Sequence, residues 1–524
     1  MIAAMRHAVR LLGLARTLAR FDALVLFEHF GLSPGVLRAA RLLKRLPGGV
    51  QPNPAARPGQ RIALALAEAG PTFIKLGQSL ATRADLLGED IADDLAFLQD
   101  RLPPFPGALA RAAIEAELGK PIDALFARFD DVPIAAASIA QVHLAETPDG
   151  EEVAVKVLRP GIEQAFRRDL DMLAWAAATL EHARPATRRL RPREVVATFA
   201  RVVEVEMDLR LEAAAAAELA VNFAGDDSFH VPGIDWSRTG RRVLTLERIR
   251  GIPIDERDHL VAAGIDPDEV LRKAASAFFN QVFRDGFFHA DLHPGNLFVA
   301  PDGNLVAVDF GIMGRLDAAT RRFLGEMLLG FLQSDYRRVA DAHFDMGFVP
   351  ADQSRDLFMQ ACRAIGEPIL GRPLNEISVA RLLAQLFRVT ETFRMETQPQ
   401  LLLLQKTMMV AEGIGRRLNP KLNMWELSRP LIEDWMQENL GPEARIARGA
   451  RDVVSGLERL PAFLTNVDKA VKALAEHGYR LHPDTVRRLL GEGEDGRNRS
   501  TGTALWVIAG LLAVIAVTLL TGRP

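Results

Sequence analysis

His289-Ala290-Asp291-Leu292-His293-Pro294-Gly295-Asn296, followed downstream by Asp309-Phe310-Gly311, is the stretch that decides the fold. It supplies three oxygen-bearing side chains, Asp291, Asn296 and Asp309, in an order suited to phosphoryl transfer. A leading Asp orients a nucleophile, an Asn five residues on holds a magnesium ion, and a second Asp adds another oxygen ligand. Leu297-Phe298-Val299 and Leu305-Val306-Ala307-Val308 read as two short strands around the turn Pro301-Asp302-Gly303-Asn304. Such a hairpin returns Asn296 and Asp309 to one end, where both can grip a single nucleotide-bound metal. Either half alone is a chance tripeptide or a surface turn; both halves in this order argue for a site.

Upstream, Val153-Ala154-Val155-Lys156-Val157 alternates as a buried strand carrying one lysine. It matches the strand of protein kinases whose lysine contacts the nucleotide phosphates. Such a lysine needs a carboxylate from a neighbouring helix. Glu206, Asp208 and Glu212 in Glu204-Val205-Glu206-Met207-Asp208-Leu209-Arg210-Leu211-Glu212 are the candidates. Six residues separate Glu206 from Glu212, so one helix cannot aim both at the same atom; spacing alone leaves the choice open. Where a glycine-rich phosphate loop belongs, the chain has Ala135-Ala136-Ala137-Ser138-Ile139-Ala140-Gln141-Val142-His143. Alanine takes positive φ and close phosphate approach less readily than glycine, which predicts a stiffer cradle with Ser138 and Gln141 as extra polar groups.

Two absences shape the expected substrate. Ala290 stands where regulated kinases carry an arginine for a phosphorylated loop, and Leu316-Asp317-Ala318-Ala319-Thr320-Arg321 begins a helix almost directly after Gly311. The peptide-binding platform is missing, which disfavours a protein acceptor. His289 and His293 flank Asp291, but zinc wants further ligands and magnesium-type oxygens already explain the cluster.

The chain as a whole is globular in composition: 524 residues, 48% hydrophobic, 25% charged, net charge −3. That balance gives no reason to expect nucleic-acid binding. The single cysteine, Cys362, excludes an internal disulfide and reads as core. From Ser500 to Gly522 there is no charge; as helix this stretch reaches about 34 Å, enough to cross a ~30 Å hydrocarbon core. Arg487, Arg488, Arg497 and Arg499 precede it and only Arg523 follows, which predicts a cytoplasmic body with a C-terminal anchor. At the other end Arg6, Arg10, Arg16 and Arg20 share one arc, with Leu11, Leu14, Leu18, Phe21 and Val25 largely away from it. This basic amphipathic helix suits either anionic lipid or the protein's own body.

The expected architecture is therefore α+β: a bilobal, kinase-like fold, mostly helical. Residues 1–46 form the basic amphipathic region, and 61–130 a helical extension after a break at 47–60. Residues 131–250 form the strand-bearing N-lobe, 251–490 a helical C-lobe, and 501–522 a transmembrane helix. Pro71 opens a helix in the extension, and everything after Gly311 to about Gly491 reads as helix.

With these motifs in hand, the chain closely resembles the UbiB family of atypical, ADCK-type kinase-like proteins, from about Gly70 to Arg315. The most diagnostic piece is Lys75-Leu76-Gly77-Gln78, similar to the family's Lys-x-Gly-Gln signature. The resemblance implies that this helix folds over the active site, with Lys75 and Gln78 on one face. It also implies that Glu212 pairs with Lys156, while Glu206 and Asp208 contact the Lys75 helix. ATP and Mg2+ are the implied cofactors. The implied setting is a bacterial inner membrane, where the chain supports ubiquinone biosynthesis beside lipids, polyprenyl-phenol quinone precursors and other enzymes of that synthesis; a homodimer is left open. Some family members carry the label 2-polyprenylphenol 6-hydroxylase, for which this sequence has no flavin, dinucleotide or iron-ligand motif. Two readings remain: a membrane-anchored ATPase or small-molecule kinase, and a nucleotide-binding scaffold without essential turnover.

Overall fold

The structure, a computed structural model, describes residues 2–23, 56–81, 102–183, 191–368, 388–395 and 398–419, with positions 88, 91, 94, 95, 385, 430–433 and 435. The chain divides into units Met1–Asn439 and Leu440–Pro524. The expected span at 501–522 belongs to the second unit, outside the described residues. Among the described residues no helix is long and apolar enough to cross a membrane.

The first unit opens with α1 (Ile2–Arg20), α2 (Pro58–Ala69) and α3 (Pro71–Ala81). Pro58 sits in the first turn of α2, so the helix starts inside the expected break, where a proline's missing N–H costs nothing. Leu18 and Phe21 of the first segment, Ile62 and Leu66 of α2, and Phe73 of α3 bury together with Met172 of α5 (Ile162–Ala183). The leucine face of α1 thus packs on the protein's own body. Arg10 bonds Asp169 at 2.7 Å and Arg20 bonds Glu68 at 2.6 Å; Arg6, Arg16, Met5, Val9 and Leu12 are exposed.

After α4 (Gly107–Leu118) comes the N-lobe sheet: β1 (Arg128–Phe129), β2 (Ala135–Ala136), β3 (Ala140–Glu146), β4 (Glu152–Leu158) and, much later, β6 (Val243–Glu247). Its order is β1-β3-β4-β6, with β2 paired to β3. The register sets Val142 opposite Lys156 and Leu244 opposite Lys156 on the other side. Successive side chains alternate faces, so Val142, Lys156 and Leu244 share one face while Val153, Val155 and Val157 share the other. That second face closes over Ile114, Phe126 and Phe129.

Two helices, α6 (Pro192–Glu206) and α7 (Leu209–Asn222), replace the single helix that the acidic cluster suggested. The break falls at Met207–Asp208, and Asp208 caps α7 by accepting from Arg210 N. The C-lobe starts with β5 (Phe229–His230), β7 (Ile252–Pro253) and α8 (Pro267–Phe279), continuing through β8 (Phe287–His289), β9 (Leu297–Val299) and β10 (Leu305–Ala307). The expected hairpin is antiparallel β9–β10 with Leu297 opposite Ala307. One stretch after Gly311 expected as helix is a strand: β11 (Met313–Arg315) pairs antiparallel with β8. Gly286 turns the chain into β8 at φ 66°, and a Cβ there would meet Leu316 O at 2.5 Å. Then follow α9 (Ala318–Leu332), α10 (Tyr336–Asp345), α11 (Arg355–Gly366) and α12 (Pro399–Leu418). Cys362 is buried on α11, and burial pushes its thiol up to about 12, as a core residue requires.

Candidate active site

The C-lobe core fixes the catalytic loop from below. Phe310 is buried with Phe287, Leu297 and Ala307, against Leu219 of α7 and Ile414 and Leu418 of α12. Burying a phenylalanine is worth roughly 2–3 kcal/mol, and here it pins the residue beside Asp309. Asp309 itself has φ 61°, a left-handed conformation that non-glycine residues seldom take. Val308 N donates to Asn296 O at 2.9 Å, so the hairpin end holds Asn296 and Asp309 as neighbours.

His289 is fully buried and uses both ring nitrogens. Nε2 donates to Val308 O (3.1 Å), Nδ1 accepts from Asp291 N (3.2 Å), and burial keeps the ring neutral by lowering its pKa. Gln281 Oε1 accepts from His289 N at 2.9 Å. His293 Nδ1 accepts from Gly295 N at 2.9 Å, turning the ring into its own loop. With both ring nitrogens engaged, His289 has none left for a metal. Asn296 donates through Nδ2 to Asp291 O at 3.0 Å, which leaves its carbonyl oxygen as the free end of the amide.

From the other lobe, Lys156 bonds both Glu212 oxygens, at 2.7 and 2.9 Å, and Asp309 Oδ1 at 3.1 Å. Burial works against the ammonium, yet Asp309 and Glu212 outweigh it and raise the Lys156 pKa. Burial likewise pushes Asp309 up, but Lys156 and then Lys75 outweigh it and hold the carboxyl well below the usual range. Burial raises Glu212 and Lys156 pulls it back. Lys156 and Asp309 therefore stay charged near neutrality. Glu212 is thus the carboxylate at Lys156.

Lys75 lies 3.2 Å from Glu206, both side chains largely covered, and its charge also favours ionised Glu212 and Asp309. α3 therefore reaches the mouth of the site. Gln78, one turn on, is half-buried with no hydrogen bond to a described residue. Asp208 differs from expectation: instead of meeting the Lys75 helix it bonds Arg210 at 2.6 and 2.9 Å and caps α7.

The alanine loop also divides. Ala137 N donates to Ala140 O at 2.8 Å, closing a tight turn, and Arg159 bonds Ala137 O. Ala135, Ala136 and Val142 keep some exposure, whereas Ser138, Ile139 and Ala140 are buried. Gln141 and His143 have the opposite parity to Val142 and point away from Lys156. Gln141 binds the backbone of Phe105 at both ends, 3.0 and 3.2 Å, and His143 stacks on Phe129 at 4.9 Å. These two belong to packing, because a strand shows only alternate residues to the cleft.

One charged neighbour was not foreseen. Lys406 of α12 donates to Asp291 Oδ1 at 2.9 Å. Its signal was present as a lone charge in Leu401-Leu402-Leu403-Leu404-Gln405-Lys406-Thr407-Met408-Met409-Val410.

Known proteins resemble the chain over most of its length. Residues 97–343 match the ABC1 atypical kinase-like domain and 362–423 the UbiB helical domain. A "Probable protein kinase UbiB" from Marinobacter nauticus is 44% identical over 431 residues, 82% of this chain and 79% of that protein. One of the same description from Pseudomonas entomophila is 40% identical over 97% of this chain and 95% of its own length. A solved Mycobacterium tuberculosis protein in complex with erythromycin aligns at 24% identity with a TM-score of 0.49, over 76% of this chain and 95% of that one.

Proposed function

Because the chain belongs to the UbiB family of ABC1-type atypical kinase-like proteins, we propose that it binds ATP with Mg2+ and hydrolyses it or transfers its phosphoryl group to a small molecule or lipid, at a membrane, in support of ubiquinone biosynthesis. The observation that carries the reading is Lys156 held between Glu212 and Asp309, with Asp291 and Asn296 on the same floor. The donors suit a hard cation: the Asp309 carboxylate is ionised and half exposed, and Asn296 presents an amide oxygen. Among the described residues no group of three or more His, Cys, Asp or Glu could hold a metal by itself, so phosphate oxygens would complete the shell. When bound, Mg2+ would neutralise phosphate charge. Lys156 grips phosphate oxygens, Asp291 orients water or a hydroxyl, and α3 with Lys75 narrows the entrance against a polypeptide acceptor.

Membrane association is part of the proposal and rests on the uncharged C-terminal stretch, with the exposed Met5, Val9 and Leu12 flanked by Arg6 and Arg16 on α1 as a second contact. Quinone precursors and other enzymes of the synthesis are the proposed partners.

The test is phosphate release by the full chain in lipid nanodiscs with ATP, Mg2+ and a phenolic quinone precursor. Asp309→Asn is expected to reduce turnover by about 100-fold or more, the scale of losing a charge-stabilising group; unchanged turnover removes the metal role. The scaffold reading has one specific support, the alanine loop that closes on itself. It would be favoured if Asp291→Asn bound nucleotide, failed to turn over and still restored quinone synthesis in a deletion strain.

A further inference from the structure

We propose that Lys406 binds the terminal phosphate of the nucleotide beside Asp291, exchanging its ion pair with Asp291 for a phosphate oxygen. This rests on the nucleotide-site reading above. The catalytic loop has no permanent cation of its own: Ala290 and Leu292 are apolar, His289 is neutral with both nitrogens engaged, and His293 accepts from its own loop. Lys156 bonds Glu212 and Asp309, and Lys75 bonds Glu206, so neither of them reaches Asp291. Among the described residues, the cation bonded to Asp291, where a phosphoryl group would be presented, is Lys406.

The helix delivers that charge to a fixed place. Lys406, Val410 and Ile414 recur every four residues on one face of α12. Val410 and Ile414 pack into the core that contains Phe310 and Leu297. Thr407 is fully buried and bonds back to Leu403 O at 2.9 Å. A lysine that served only solubility would extend into water; this side chain is 40% exposed and ends on Asp291. An ammonium has three donors and no preferred partner. A half-exposed pair such as this is weak, so Lys406 can exchange Asp291 Oδ1 for a phosphate oxygen at little cost, and charge-assisted bonds to phosphate favour the exchange.

The experiment measures ATP and ADP affinity, each with Mg2+, for the full chain in nanodiscs. Lys406→Met should weaken ATP by about 10-fold, one step of the affinity scale, and leave ADP nearly unchanged, with a melting point close to wild type. Lys406→Arg should recover part of the ATP affinity. Asp291→Asn should tighten ATP several-fold by releasing Lys406, and that gain should vanish in the double variant with Lys406→Met. Equal weakening of ATP and ADP, or no change in either, overturns the assignment while leaving the nucleotide site standing. A wild-type chain that binds neither nucleotide overturns the site and this proposal together.

Discussion

Glu212→Gln keeps the side chain's shape and removes its charge, and it separates a lysine positioned for phosphate from one that is only buried. Glu212 is 7% exposed and takes two bonds from Lys156, at 2.7 and 2.9 Å. Removing one partner of a buried pair costs about 3–5 kcal/mol when the other charge is stranded. Lys156 is not fully stranded, because Asp309 remains at 3.1 Å. Asp309 is half exposed, so solvent screens that second contact and it recovers only part of the loss. Relief of the burial that pushes Glu212 up offsets a further part. The expected net loss is about 2 kcal/mol, or about 2 °C of melting temperature for a unit of this size. A second effect is functional: Lys156 moves wholly onto Asp309 and neutralises the carboxylate that should face the divalent ion. Mg-ATP affinity should then fall by about 10-fold. Thermal melts of the full chain in nanodiscs, with and without Mg-ATP, and a nucleotide titration read both numbers. A variant that melts like wild type and binds Mg-ATP equally well would show that Glu212 does not position Lys156, and the reasoning would fail.

Two further outcomes test other parts of the structure. Gln141→Leu removes both bonds to the Phe105 backbone and should cost about 1–3 kcal/mol in a melt, yet ATP affinity should hold within about 2-fold because the side chain faces away from the cleft. His343 on α10 lies among Phe323 and Phe358, and burial lowers its pKa to about 4 against the partial offset of the Val339 carbonyl. A depressed folded pKa gives stability that is present above the ordinary value of 6.5 and lost as pH falls through 4. Melting temperature should therefore drop between pH 7 and pH 4, and His343→Gln should flatten that limb.

Local chemistry was legible where motif, strand period and turn coincide. Asp291, Asn296, Asp309 and Lys156 sit in short segments whose geometry the chain dictates, and the β9–β10 hairpin appears where Pro301 to Asn304 placed it. What sequence could not supply is parity and long-range register. Gln141 and His143 fall within the expected phosphate loop, but pairing of Val142 with Lys156 fixes them on the opposite face. Asp208 read as one of a pair with Glu206, but a helix break at Met207 makes it a cap, a role that Asp fills well and that its neighbours do not advertise. Met313–Arg315 is too short to show a period, and only its partner β8 makes it a strand. Lys406 lies 115 residues from Asp291 in the chain, a contact that no local pattern encodes.

The charges of the site are interlocked rather than waiting. Lys75, Lys156 and Lys406 face Glu206, Glu212, Asp291 and Asp309, three positive against four negative, a formal sum of −1. Each lysine holds a carboxylate, so on the proposed reading a nucleotide would enter by exchange of partners. The lysines differ in what they can give up. Lys156 can release Asp309 and keep Glu212, so phosphate reaches it without stranding a buried ammonium. Lys75 has Glu206 as its direct ion-pair partner, and its helix is anchored by buried Phe73 and Ile74, so it suits a cover better than a ligand. Asp309 stays ionised across the neutral range, so on the proposed reading it would repel bare phosphates at close quarters. On the proposed reading a bound divalent cation would relieve that repulsion and free Lys156. That is why loss of the Asp309 charge and loss of the divalent ion should not be equivalent. Asp309→Asn removes the repulsion without supplying the metal, and so should separate nucleotide binding from turnover.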